Sequence, residues 1–201
     1  MNILIYRYGS ICEPDVITGF QALGNQVSEI TAEIYNKNLP PSEGVTLLKN
    51  ELLTYSYDFV FSINFFPFIS EVCNIFQIRY ICQTVDSPVM ELYSNSICNP
   101  WNRIFMFDKA QYDEFSPKNP AGIFHLPLAS NPTRWESVIN NATPSQIDRY
   151  SGDVSFVGSL YTEKSPYRRL KNAPDYLTGY LDGIMTCLLY TSPSPRDMRR
   201  S

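Results

Sequence analysis

Asp58–Phe76 reads DFVFSINFFPFISEVCNIF, and it holds both halves of an α/β unit. Its opening, Asp58–Ile63, is almost continuously apolar, which suits a strand buried on both faces. Ile69, Val72, Cys73 and Phe76 then recur at i, i+3, i+4 and i+7, the spacing of one helix face. A buried strand followed by a packed helix is the repeating unit of a parallel sheet.

The same alternation extends toward the N-terminus. Ile3–Tyr6 is a short apolar run followed by Gly9. A helix follows, with Pro14 in its first turn and Glu13 and Asp15 near its N-terminus, where the helix dipole favours acids. Val16, Ile17, Phe20 and Leu23 form its apolar stripe, and Gly24-Asn25 ends it. A weak strand is predicted over Val27–Ile30. Val45, Leu48, Leu52 and Tyr55 mark a second helix, opened by Ser42 after a Pro-Pro pair.

It also extends the other way. Arg79–Val85 is a strand ending in Asp86-Ser87-Pro88, a cap-and-proline pattern that predicts a helix through Leu92. Arg103–Phe107 is a strand ending in Asp108, and a short helix covers Lys109–Phe115. Gly122–Leu126 is the last strand of the set. The expected architecture is α/β, a Rossmann-like doubly wound parallel sheet spanning 1–139.

Residues 140–152 are polar, hold Pro144 and Ser145, and read as an interdomain linker. Asp153–Tyr161, DVSFVGSLY, then looks like another strand and a Gly-Ser turn, with a helix start at YRRL after Lys164-Ser165-Pro166. That is how a nucleotide-binding α/β domain begins. Residues 153–186 are therefore read as the start of a truncated second domain. The final stretch 187–201, CLLYTSPSPRDMRRS, breaks the pattern with two Ser-Pro pairs and a basic end. It resembles translated adapter or vector read-through and is set aside from fold reasoning.

Composition narrows the classes. The chain has 201 residues, 44% apolar and 14% aromatic content, and a net charge of −4. These are globular values, and the acidic balance argues against nucleic-acid binding. No apolar run is long enough to span a membrane, and MNILIYRYG lacks the features of a signal peptide. The odd set Cys12, Cys73, Cys82, Cys98 and Cys187 forms no CxxC and suits reduced thiols in a cytoplasmic protein. A single histidine and no metal-ligand spacing predict no metal and no bound cofactor.

Ligands of open parallel sheets bind at the carboxyl ends of the strands. The residues expected there are Tyr8-Gly9-Ser10, Asn64, Asp86-Ser87-Pro88, Asp108 and His125. Gly9 would let backbone approach a ligand, but no GxGxxG is present. Tyr6-Arg7-Tyr8 stands where a phospho-acceptor domain would carry paired acids. Asp86 and His125 are the candidate bases; Asp86 could equally cap a helix, and His125 could equally be a packed loop residue. Asp108 has the same ambiguity as Asp86. Gly158-Ser159 could face a phosphate with Lys164 or Arg168, or be an ordinary strand-to-helix turn.

The order of QTVDSPV (83–89), RIFMFDKAQYDEF (103–115), HLPLA (125–129), DVSFVGSLYTEKSPYRRL (153–170) and YLTGYLDGIM (176–185) resembles the CgeB-like, spore-maturation-type family of bacterial glycosyltransferases. The resemblance covers nearly everything before Cys187. It implies a GT-B architecture, in which two Rossmann-like domains face a cleft. The N-terminal domain shapes the acceptor side and the C-terminal domain grips a nucleotide-sugar donor. It also implies transfer without a required metal, helix N-termini and basic groups stabilising the departing diphosphate. Gly9, Ser10, Asn64, Asp108, Gly158, Ser159 and Arg168 would then bind substrate. Asp86 or His125 would serve as base if the reaction inverts. The partners would be a nucleotide sugar and an acceptor, and the fragment alone is expected to be inactive. The rival reading is a non-enzymatic α/β ligand-binding or regulatory module complete near residue 150.

Overall fold

The computed structural model describes residues 1–154 and 173–191. They form two compact units, Met1–Asn141 and the described part of Ala142–Ser201. In the first, β1 (Asn2–Tyr6), β2 (Gln26–Ile30), β3 (Phe59–Ile63), β4 (Arg79–Gln83), β5 (Asn102–Met106) and β6 (Ile123–His125) pair in parallel. The six-stranded order is β2-β1-β3-β4-β5-β6. The direction of winding reverses between β1 and β3, so the crevice of this sheet opens above their carboxyl ends.

Strand alternation sends side chains to two helical layers. Leu4, Tyr6, Val60, Tyr80, Cys82, Ile104 and Met106 meet α3 (Pro41–Thr54), α4 (Pro67–Phe76) and α5 (Lys109–Phe115) on one face. Ile3, Ile5, Phe59, Phe61 and Ile63 meet α1 (Glu13–Ala22), through Val16, Ile17 and Phe20, on the other. Helices on both faces make the sheet doubly wound. Every residue of β3 is buried, which is why its sequence shows no polar alternation.

Several local expectations change. Leu23 is not in the buried stripe of α1; it lies 80% exposed, because the helix already ends at Ala22 and turns away through Gly24 at φ +77°. Tyr55 likewise sits exposed just past the end of α3, and that helix opens on Pro41 rather than Ser42. A short helix, α2 (Ala32–Tyr35), precedes it. After β4 the Ser87–Pro88 peptide is cis, and the chain forms a 3₁₀ turn at Met90–Tyr93 instead of an α-helix. Asp86 caps nothing there, because its carboxylate is already held by Asn64.

α6 (Pro132–Asn140) closes the first unit, with Asn131 accepting from the amide of Arg134 as its cap. In the second unit, the stretch read as a linker contains α7 (Pro144–Tyr150). Its capping box joins Thr143 and Gln146, a local signal strong enough to start a helix in a polar segment. α8 (Asp175–Thr191) runs past Cys187, where the sequence pattern was expected to stop. Of the strand and turn expected over Asp153–Tyr161, all but the first two residues lie outside the described residues. Among the described residues no helix is long and apolar enough to cross a membrane.

Candidate functional site

The loop after β1 is built around a buried carboxylate. Glu13 is 1% exposed. It accepts from the amide of Tyr8 at 2.9 Å and of Gly9 at 3.1 Å, and pairs with Arg7 Nε at 3.0 Å. Arg7 also reaches Glu29 on the neighbouring β2, and hydrogen bonding to Glu29 is the main reason its guanidinium holds its proton more firmly than usual. Gly9 adopts φ +91°, a left-handed conformation that glycine adopts without strain. Lys37 Nζ donates to the carbonyl of Tyr8, and a Cβ on Gly9 would stand 3.0 Å from that nitrogen. Convergent amides in a first βα turn form the place where Rossmann-like domains cradle a phosphate. Here the chain's own carboxylate fills it.

Beside this turn a polar chain runs along the carboxyl edge. Asn64 follows β3 at φ +58°, which asparagine tolerates better than most residues. Its amide N–H donates to the Gln83 carbonyl at 2.8 Å, and its Oδ1 accepts from the Val85 amide at 2.9 Å. Its Nδ2 donates to Tyr8 Oη at 3.0 Å and to Asp86 Oδ2 at 2.6 Å. From below, its carbonyl accepts from Ser62 Oγ at 2.7 Å. Both the hydroxyl of Ser62 and the amide of Phe66 meet the buried Tyr80 hydroxyl, at 2.6 and 2.9 Å. Asn64 is thus clamped, and it aims the exposed Asp86 carboxylate. Burial pushes the Tyr8 phenol up; the Asp86 charge adds to this, while hydrogen bonds with Ser10 and Asn64 oppose it.

The chain continues through Ser87, whose hydroxyl donates to Asp108 and accepts from Gln111 Nε2 at 2.9 Å. Asp108 caps α5 through the amides of Ala110 and Gln111. The Ser87 hydrogen bond, then that of the Ala110 amide, hold its carboxyl below the usual range, with a smaller contribution from His125. A carboxyl depressed in the folded state stabilises above its unfolded pKa, and the effect is lost as pH falls through the folded value. Asp108→Asn is therefore expected to flatten the acid limb of the thermal stability profile. The midpoint gap between parent and variant should close toward low pH; a pH-independent gap would show that the charge plays no part.

His125 ends β6 with Nε2 3.2 Å from the Phe107 carbonyl and its ring tilted against Tyr112. That contact requires the proton on Nε2. No hydrogen bond joins His125 to Asp86 among the described residues. Ser10 lies in the first loop and accepts from the Cys12 amide at 3.4 Å. The structure therefore pairs Asn64 with Asp86 and, one residue further along the chain, Ser87 with Asp108, with Gly9, Ser10 and His125 at their flanks. Gly158, Ser159, Lys164 and Arg168 lie outside the described residues.

Sequence reasoning missed three participants. Glu13 was read only as a dipole-friendly acid; an acid four residues after a turn glycine is the signal that it can fold back on the turn. Lys37 and Gln111 gave no signal, since one reaches in from a distant loop and the other from a helix face. The Oε1 of Gln111 is buried without a hydrogen-bond partner among the described residues. No protein-family model matches this chain, and no curated protein matches it either.

Proposed function

We propose that the six-stranded unit is the acceptor-side domain of a GT-B glycosyltransferase, holding a sugar hydroxyl beside Asp86. The observation that carries this reading is the filled first turn. With Glu13 on the amides of Tyr8 and Gly9, this domain offers no phosphate cradle at its switch point. A domain of this fold without that cradle suits the acceptor half, the nucleotide-sugar donor being held by a second α/β half.

The polar edge supports the same reading. Tyr8, Asn64, Asp86, Ser87 and Asp108 present alternating donors and acceptors, the lining that a polyhydroxylated ligand needs. In an inverting transfer, Asp86 would act as the base. Its carboxylate is exposed and oriented by one hydrogen bond from Asn64, leaving lone pairs for an acceptor hydroxyl. His125 would have only Nδ1 free for that role, since Nε2 donates to the Phe107 carbonyl.

The test is amide NMR on the full chain with methyl glucopyranoside, methyl galactopyranoside and uridine diphosphate as separate probes. Sugars are expected to shift Asn64, Asp86 and Ser87, while the nucleotide leaves Tyr8 and Gly9 unmoved. Nucleotide-dependent shifts at Tyr8 and Gly9, or no response to any sugar, would overturn the reading.

A further inference from the structure

On the α1 side of the sheet, the carboxyl end of β4 opens into a cleft of about 410 Å³. β4 contributes Gln83, the turn before α1 contributes Ile11, α1 contributes Val16, the loop after β6 contributes Leu128, and α6 contributes Trp135. The volume falls in the usual range for a small-ligand site. Trp135 is 55% exposed and Leu128 50% exposed, so the apolar lining is open to solvent.

The polar groups at this cleft are held in a fixed arrangement. Asp15 accepts from Asn131 Nδ2 at 3.1 Å and from an Arg134 terminal nitrogen at 2.7 Å, bridging α1 to α6. The Arg134 guanidinium also lies 5.9 Å from the centre of the Trp135 ring. These bonds leave further acceptor sites on Asp15 and further donors on Arg134. The side-chain amide of Gln83 and the indole N–H of Trp135 have no hydrogen-bond partner among the described residues. Arg134 is neutralised by Asp15, so the cleft carries no surplus positive charge to attract a phosphate or carboxylate.

A half-exposed indole beside a carboxylate, a guanidinium and a primary amide matches one ligand class well. A pyranose has an apolar C–H face that can lie on the indole and an equatorial rim of hydroxyls that can both donate and accept. We infer that this cleft is a subsite for a neutral pyranose ring, with Trp135 as its platform and Gln83, Asp15 and Arg134 as its hydroxyl partners. The assignment rests on the acceptor-side reading and names the substrate class: a glycoside with at least one ring beyond the reacting hydroxyl.

The test uses the full chain labelled with 5-fluorotryptophan, which gives two indole signals because the chain has two tryptophans. Trp135→Phe changes an exposed side chain and assigns them. Titration with methyl glucopyranoside and cellotriose should move the Trp135 signal saturably and leave Trp101 in place. Cellotriose should bind more tightly, and Gln83→Ala should weaken it about tenfold, the worth of one good hydrogen bond. If the amides of Asn64 and Asp86 respond to these sugars while the Trp135 fluorine does not, the subsite is wrong and the acceptor-side reading stands. If Trp135 responds and those amides do not, the subsite stands and the acceptor-side reading falls. An equal response to cyclohexanol would overturn the pyranose assignment.

Discussion

Glu13→Ala is expected to lower the unfolding free energy by about 3–5 kcal/mol, the cost of removing one partner from a buried, hydrogen-bonded ion pair. The variant strips the acceptor from the Tyr8 and Gly9 amides and from Arg7 Nε together. Arg7 keeps Glu29, which favours the lower end of that range. Urea unfolding followed by circular dichroism measures the loss. A second consequence separates a plugged anion cradle from an ordinary buried acid. The emptied amides, with Arg7 beside them, should accept an inorganic anion. Sulfate strengthens most folded proteins by exclusion from their surfaces, so the comparison is between parent and variant at matched ionic strength. Sulfate should recover more stability in Glu13→Ala than in the parent. A loss below about 1 kcal/mol, or equal recovery in both, would mean that the carboxylate is not what holds the turn.

Tyr80→Phe is expected to cost about 2–5 kcal/mol although it removes a single oxygen. Tyr80 is fully buried, and its hydroxyl meets Ser62 Oγ and the Phe66 amide. Phenylalanine would leave buried polar groups without partners, each costing about 1–3 kcal/mol. Burial holds the Tyr80 phenol well above its usual pKa, so it stays protonated and the cost should not vary with pH near neutrality. The change should reach the site as well. Ser62 and Tyr80 lie under the Asn64 turn, and Asn64 aims Asp86. Amide signals of Asn64 and Val85 should broaden in the variant, and sugar-induced shifts at Asp86 should weaken. A variant that loses stability while those signals stay sharp would show that the turn does not depend on the buried hydroxyl.

How far the sequence alone reached depended on whether the cause was local. β3 was legible because a strand buried on both faces must be apolar throughout. α4 was legible because its core face recurs at helical spacing, and α5 because Asp108 is a side-chain cap followed by a short amphipathic run. α7 forms in a segment whose polarity reads as linker, because the Thr143–Gln146 capping box starts a helix there. In place of the helix expected after Pro88 there is a 3₁₀ turn, and Asp86, a natural cap by type, pairs instead with Asn64 at the end of the neighbouring strand. No spacing rule relates positions 64 and 86; they meet because β3 and β4 are neighbours.

What the sequence by itself determined is the alternation of buried strands and packed helices, and hence a parallel sheet with polar residues gathered at one edge. Apolar periodicity follows from burial against neighbours a few residues away, so it is written along the chain. What only the tertiary structure decided is what those edge residues do. Strand order β2-β1-β3-β4-β5-β6 sets which loops touch. It hands Asn64 to Asp86, and Ser87 to Asp108. Each hydrogen bond depends on sub-ångström distance and direction between groups brought together by sheet packing, and that information exists only once the sheet has closed.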